Sequence, residues 1–594
     1  MNVVVAPVPV LRTSRAARGV SHRVRLRGAS HRLATLAFAA SALAGWAAPT
    51  LAHACGGTWC DAVTNMPVDQ TGENILFARR DGVVETHVQI QYQGDAEQFA
   101  WVVPVQAIPG ISTGSDALFQ ALLSSTTPSF SVTQMFEDCG TRELQFGCVS
   151  EDEVGSLAGG GSWDSTSAGE GGEDPDVVAR GVVGSFEYAI LDGGTVEGVT
   201  AWLTDEGYAQ DDEAAPILAE YLAEGFAFVA IKLRGGAQVD EIHPIVFTIP
   251  GDEPCVPIRL TRIAATADMG IRVFALGDSQ AAPMNYASVV PNWAKLDWTN
   301  VAASYEQLIA MAVDQPGADG RAFVTEFAGS TSSVGLQGAT FENSAWSPAL
   351  LRATTPDSVI AALDNQQLLR CDAGQCQAFH PLIMGALRRV LPAPEGVDEG
   401  AFWSCVECYP GLVDASAWSA DALADDVEGR IVVPARNADA LLASTSYLTR
   451  MYTTMSPNEM TVDPIFEWNP DLLDVSNVHV ATRVTTCEGD IEYTIDELGA
   501  DMPPVLLDPA DVSWPRLDDA PWALRIEQPG PTGAPMPVAD FSAETEAAIA
   551  AWRREVDIAE DGGCSVDPTR FGGALWLLAI VGVAARGRRR RSAA

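Results

Sequence analysis
The chain has 594 residues, 47% of them hydrophobic, with 78 acidic side chains against 36 basic and a formal net charge of −42. That length allows roughly two to four domains and ample buried core. A body this acidic repels phosphate backbones, which excludes nucleic acid as an expected partner. Lys232 and Lys295 are the chain's two lysines, while seven Arg lie in residues 1–54 and five in the last nine, with no Asp or Glu in either end. The acidity reads as a solvated surface; divalent-cation binding is the sharper alternative, but no D-x-D-x-D-G loop supports it.

Residues 1–54 read as a signal peptide: an Arg-rich n-region, the apolar stretch Leu33–Ala48, then Pro49 and a small-x-small site at Ala52-His53-Ala54. Cleavage is expected between Ala54 and Cys55. A lipoprotein-type cut at Cys55 is the alternative, although Ala52 stands where such signals usually carry Leu. The long n-region also allows a start nearer Val20. Export to an oxidising compartment makes disulfides the default for the ten cysteines before the tail. Short spacings suggest Cys55–Cys60, Cys139–Cys148, Cys371–Cys376 and Cys405–Cys408, leaving Cys255–Cys487 as a long staple. The rival is a four-Cys zinc site within residues 371–408.

In Val83–Tyr92, Val84, Thr86, Val88, Ile90 and Tyr92 alternate with Glu85, His87, Gln89 and Gln91. This predicts a strand with the first set inward and the second outward. Phe99–Val105 reads as its buried neighbour, and residues 150–178 as a flexible acidic Gly/Ser insertion. From Val182 to Asp278 the pattern is strand, helix, helix, strand and three more strands. Phe186–Leu191 alternates, Thr195 caps a helix carrying Val199 and Leu203, and Pro216 and Gly225 bracket the next helix. Phe226–Leu233, Ile245–Ile249, Ile258–Leu260 and Ile271–Leu276 read as strands. Paired helices followed by clustered strands favour an α+β fold, mostly antiparallel, over a doubly wound one.

A change of texture near residue 300 divides an α+β domain (55–300) from a mixed helix and loop region (301–563). Helices are expected at Ser304–Val313, Pro356–Leu363, Ala438–Met451 and Glu544–Val556, with strands at Ile431–Val433 and Val478–Thr485. Residues 564–594 form a tail: Cys564, a short spacer, the apolar run Phe571–Ala585 and five Arg. The positive-inside rule keeps that cluster cytoplasmic. A single transmembrane helix is the plain reading; the run is short for one, and Cys564 just ahead of it suggests processing.

The search for chemistry finds no catalytic set, cofactor site or metal site. No H-E-x-x-H, G-x-S-x-G or Gly-rich phosphate loop is present. His243 and His380 precede proline and read as loop or strand-edge residues; His87 lies on a polar strand face and His479 on another strand. Asp69 and Asp463 are conceivable paired acids, with turn or cap duty the simpler reading. Fifteen Trp are scattered without a platform spacing and read as core.

The tail resembles the myxobacterial C-terminal sorting signal (MYXO-CTERM). The resemblance implies that helix and Arg run are removed and that Cys564 is the processing and lipid-attachment site; the extra Ser592-Ala593-Ala594 departs from the pattern. The body, roughly 55–490, resembles the domain of unknown function 2330 family through CGGTWC at 55–60, PVDQTGENILF at 67–77 and HVQIQYQGDAEQFAWVVPV at 87–105. VGSFEYAIL at 183–191, AWLTDEGY at 201–208 and YLTRMYTTMSPNEMTVDPIF at 447–466 continue it. That family implies an exported, Cys-containing envelope protein and brings no catalytic residues. The expectation is a lipid-anchored protein of the cell surface or outer membrane, with a structural or binding role. Its expected partners are the membrane and the export and sorting machinery. The alternatives are an exported hydrolase using Asp/Glu and one of His87, His380 or His479, and a metal-binding surface protein.

Overall fold
Two β-sheets stacked face to face, each covered by helices on its outer side, make the centre of the molecule in this computed structural model. It describes residues 2–3, 73–80, 82–90, 100–139, 175–206, 208, 214–234, 241–251, 254–263, 265–336, 346–508 and 512–561. The signal peptide apart from Asn2–Val3, Cys55, Cys60, Asp69, Cys148, most of the insertion and the Cys564 tail lie outside the described residues.

The larger sheet has ten strands. Its order is Met536–Asp540, Ala523–Gln528, Ala287–Pro291, Ala322–Ser330, Tyr447–Met455, Met269–Gly277, Glu73–Arg80, Val83–Ile90, Ile245–Pro250 and Gly110–Thr113. Every neighbouring pair is antiparallel except Met269–Gly277 with Glu73–Arg80 and Ala287–Pro291 with Ala322–Ser330. The smaller sheet places Ala100–Val105, Ala227–Leu233, Phe186–Asp192 and Asp176–Val183 antiparallel, with Asn2–Val3 beside the first. The fold is α+β, as the clustered strands suggest. Strands from both sides of residue 300 share the larger sheet.

Period-two alternation explains the layering. Ile75, Phe77, Val84 and Val88 face the smaller sheet and pack with Trp101, Val103, Phe186, Val229 and Ile231. Leu76, Ala78, Phe274 and Leu276 point the other way, against Leu118, Phe119 and Leu122 of helix Asp116–Thr126 and Ala438 and Leu441 of helix Val433–Ser444. The outer face of the smaller sheet, with Val102, Leu191 and Phe228, is covered by helices Val196–Asp205 and Ala214–Ala223. Thr195 caps the first of these, its Oγ1 accepting from the Gly198 amide at 3.1 Å. A four-stranded sheet and helix Val301–Val313 share a second core around Trp293, Tyr305 and Leu308. Residues 346–432 build a helical core of their own around Phe402, Trp403 and Leu387.

Several local expectations are corrected. Ala100–Val105 pairs with Ala227–Leu233 in the smaller sheet, not with Val83–Ile90. Ile258–Thr261 is one helical turn after Pro257, not a strand. The segment expected as helix Ala438–Met451 divides: the helix ends at Ser444 and the strand Tyr447–Met455 begins at once. Ile431 and Val432 belong to a π-helical turn, Glu428–Val432, not a strand. A short apolar or β-branched run cannot be told from a buried helical turn by periodicity.

Among the described residues, disulfides join Cys371 to Cys376, Cys405 to Cys408 and Cys139 to Cys487. The last replaces both suggested pairings, Cys139–Cys148 and Cys255–Cys487. Its cause is the parallel register of Ser129–Phe136 with Val478–Thr485, which sets Phe136 beside Thr485 and brings the two following segments together. It spans 348 residues of sequence. The Cys487→Ser variant should lose about 2–4 kcal/mol, the usual worth of a native disulfide, read as a drop in melting temperature that the wild type shows only with reductant. The same melting temperature for both proteins without reductant would refute this.

Candidate functional site
The hairpin of Glu73–Arg80 and Val83–Ile90 turns at Gly82, whose φ of 77° suits glycine. Along the second strand Glu85, His87 and Gln89 share the face that meets the helices. Register places His87 beside Val246, and Val246 beside Ser112; the next row is Glu85, Thr248 and Gly110. Helix Val433–Ser444 and the start of helix Asp116–Thr126 close over these rows and leave a cleft of about 210 Å³.

Its polar wall is built around one histidine. His87 is only 4% exposed, a correction to its expected outward placement; the face that reads as polar is roofed by helices contributed from far along the chain. Both ring nitrogens are buried without a hydrogen-bond partner. Nε2 makes a long polar contact, 3.6 Å, to Glu85 Oε2, and Arg80 Nη2 donates to Glu85 Oε1 at 2.8 Å. His87 and then Arg80 hold the Glu85 carboxyl below its usual range against the opposing effect of burial. Next to this group, Gln89 donates to Asp116 Oδ1 and accepts from Asn74, both at 2.9 Å, tying the helix start to the sheet. Ser112, Thr248 and Asn437 add neutral polar groups, and Leu118, Val246 and Ala438 give the cleft an aliphatic side.

The other singled-out residues are engaged elsewhere. His479 Nδ1 lies 2.8 Å from Glu497, and its ring stacks on Phe130 and meets Trp293 within an aromatic core. His380, expected in a loop or at a strand edge, is buried and caps helix Pro381–Val390, accepting from the Leu382 amide at 3.1 Å. Asp463 accepts from Tyr221, the Arg259 amide and Arg259 Nε, each at 3.0 Å, and so clamps its loop to helices Ala214–Ala223 and Ile258–Thr261. Asp69, its suggested partner, lies outside the described residues. The four cysteines of the zinc alternative form two disulfides, and no group of three or more His, Cys, Asp or Glu able to hold a metal occurs among the described residues. No helix among them is long and apolar enough to cross a membrane; the apolar run of the tail is outside them.

His243 stands beside Ser185 in a way that looks catalytic in outline and is structural in detail. Its Nε2 accepts from the Ser185 backbone amide at 3.1 Å, and Nδ1 donates to the Pro244 carbonyl at 2.8 Å. Both nitrogens are therefore spent, and Ser185 Oγ accepts from Arg430. Burial, with the Arg430 guanidinium adding to it, pushes the His243 pKa down to about 3. Between that value and the ordinary 6.5 the unfolded chain binds the extra proton and the folded chain does not. Stability from this group is therefore complete above about pH 6.5 and falls by up to about 1.4 kcal/mol per unit as pH drops toward 3. Urea midpoints should decline from pH 7 to pH 5 in the wild type and much less in His243→Gln; equal slopes in the two proteins would contradict the assignment.

Residues 49–334 match the family DUF2330, described as an uncharacterized protein conserved in bacteria. No curated protein and no solved structure matches the chain. The DUF2330 segment contains Arg80, Glu85, His87, Ser112 and Thr248 and stops short of helix Val433–Ser444 with Asn437. A sequence signal for part of the cleft did exist: Glu85 and His87 recur at i and i+2 just after the turn that follows Arg80. Nothing local points to Asn437, some 350 residues further on.

Proposed function
We propose that the protein is an exported, lipid-anchored component of the cell surface with a binding or structural role. The observation that carries this reading is the Cys139–Cys487 disulfide, which, with the two short disulfides, suits a fold made for an oxidising compartment. The N-terminal signal and the Cys564 tail support the same destination, and the match to DUF2330 fits it without naming an activity. The histidine nearest to a catalytic arrangement has both nitrogens committed to backbone, which favours binding over turnover.

The intact mass of native protein, extracted from membranes and alkylated without reduction, tests this reading. A chain beginning at Cys55 and ending at a lipid-modified Cys564 is expected, with Cys139, Cys371, Cys376, Cys405, Cys408 and Cys487 unlabelled until reductant is added. An unprocessed chain recovered from the cytoplasm with these thiols labelled would overturn it.

A further inference from the structure
The three disulfides among the described residues differ in what they hold. Cys139–Cys487 encloses 348 residues of sequence and fastens the ends of two paired strands. Cys371–Cys376 joins directly opposed positions of a hairpin, half-buried against the helical core of residues 346–432. Cys405–Cys408 has the C-x-x-C spacing, with Val406 and Glu407 between the two cysteines. Stabilisation by loop closure grows with the length of chain enclosed, so this bond constrains the unfolded chain least of the three.

The turn that carries it is held by other means. The Cys405 amide donates to the Phe402 carbonyl at 3.1 Å, the Cys408 amide to the Cys405 carbonyl at 2.9 Å, and the Tyr409 amide to the Val406 carbonyl at 3.1 Å. Phe402, Trp403 and Val406 are buried in the helical core, and Trp403 Nε1 donates to the Leu391 carbonyl at 3.0 Å. The Tyr409 ring stands edge-on to Phe402, 5.6 Å between centroids. Opening the S–S bond therefore leaves the turn and its anchors in place, with the two thiols side by side and able to close again.

The bond is also accessible. Cys408 is exposed and Cys405 half-buried. Four residues beyond Cys408, a turn through Gly411 presents Leu412, 56% exposed, its amide donating to the Tyr409 carbonyl at 3.1 Å. An apolar side chain standing out beside an exposed disulfide offers an incoming polypeptide a contact. As a class, exposed disulfides are the labile, regulatory or catalytic ones, whereas bonds that brace a secreted fold resist reduction.

We propose that Cys405–Cys408 is a thiol–disulfide exchange site that takes electrons from external thiols. A thiolate of the reductant attacks Cys408 Sγ, the sulfur of the more exposed residue, and forms a mixed disulfide. The Cys405–Cys408 bond breaks, and its electron pair leaves on Cys405 Sγ, which takes up a proton. A second thiolate of the reductant attacks its own sulfur in the mixed disulfide and expels Cys408. The reductant ends as a disulfide, Cys405 and Cys408 end as thiols, and the two protons pass from one to the other. A cysteine pair on a polypeptide and two small thiol molecules share this chemistry. The proposal goes beyond the binding or structural role above and rests on that reading only for the oxidising compartment that forms the bond. Exchange is measured on purified protein, so its failure leaves the surface reading standing, and a failure of anchoring leaves the exchange standing.

The test equilibrates the full chain, purified without reductant, in dithiothreitol buffers of increasing reduced-to-oxidised ratio. Thiols are then blocked with N-ethylmaleimide and located by peptide mass. Cys405 and Cys408 should be labelled at a ratio about tenfold or more below that needed for Cys371–Cys376 or Cys139–Cys487. Protein reduced at this bond alone should keep the melting temperature of the oxidised chain. Cys405→Ser, which removes the neighbour that would resolve it, should hold oxidised glutathione as a stable mixed disulfide on Cys408. Cys408→Ser should form the corresponding adduct on Cys405 about tenfold or more slowly. A reduced two-cysteine peptide that opens the wild-type bond faster than glutathione, at equal thiol, assigns the reductant to a polypeptide; the reverse order assigns it to a small thiol. Opening of the bond last or together with the other two would overturn the proposal, as would a lowered melting temperature when it alone is open.

Discussion
Replacing Glu326 with alanine should destabilise the protein by about 3–5 kcal/mol, the cost of stranding a buried charge. Glu326 is 3% exposed and sits at a bulge in Ala322–Ser330, where the register against Tyr447–Met455 shifts between Thr325 and Phe327. The bulge lets its carboxylate accept from Arg450 Nε on the neighbouring strand and from the Tyr305 hydroxyl on the covering helix, each at 2.5 Å. Arg450 also donates to Thr127 Oγ1 at 2.9 Å, at the end of helix Asp116–Thr126. One carboxylate, through Arg450, therefore ties the middle of the large sheet to helices Val301–Val313 and Asp116–Thr126. Without it Arg450, 4% exposed, keeps its charge in an apolar layer. The measurement is the denaturant midpoint at constant m. Glu326→Gln should lose less, because it keeps an acceptor. The double variant Glu326→Met/Arg450→Met should recover much of the loss, since removing both charges removes the desolvation cost with them. A single variant as stable as wild type would show that the pair carries no net weight.

Glu241→Ala should be the second large loss, of about the same 3–5 kcal/mol, and should act on one layer first. Glu241 accepts from Arg389 at 2.6 Å and from Arg430 at 3.1 Å, and Arg430 in turn donates to Ser185. Burial works to raise the Glu241 pKa, but Arg389 and Arg430 together hold it below the usual carboxylate range. These contacts pin the helical core of residues 346–432 to the turn that opens strand Phe186–Asp192. The close packing leaves no room at Gly385, where an added Cβ would run into the Glu241 carboxylate. Hydrogen exchange within residues 346–432 should quicken in Glu241→Ala before global unfolding is affected, and Gly385→Ala should reproduce the pattern by crowding. Uniform exchange rates across the chain in both variants would remove Glu241 from this role. Asp426 shares Arg389 at 2.8 Å and approaches Arg430 at 3.8 Å, so it retains part of the anchoring in the variant.

The elements legible in the sequence were those whose signal is local. Alternation located Val83–Ile90 and Val478–Thr485, and a capping threonine located the helix at Val196. The Cys371–Cys376 link joins residues that face each other across a short hairpin, so spacing alone suggests it. The cysteine count and the apolar and Arg-rich ends carry the expectation of export without any fold.

Tertiary structure decided everything that depends on which distant segments meet. The partner of Ala100–Val105 and the pairing of Cys139 with Cys487 follow from contacts separated by more than a hundred residues, as does the part of the cover over His87 that comes from Val246 and helix Val433–Ser444. Periodicity reports which side chains share a face, but not what covers that face. Glu85 and His87 thus read as a solvated stripe, when helices from residues 116 and 433 onward turn the same stripe into a cleft wall. The pairing of cysteines is likewise fixed by strand register, a non-local property, and its parallel sense put Cys487 beside Cys139.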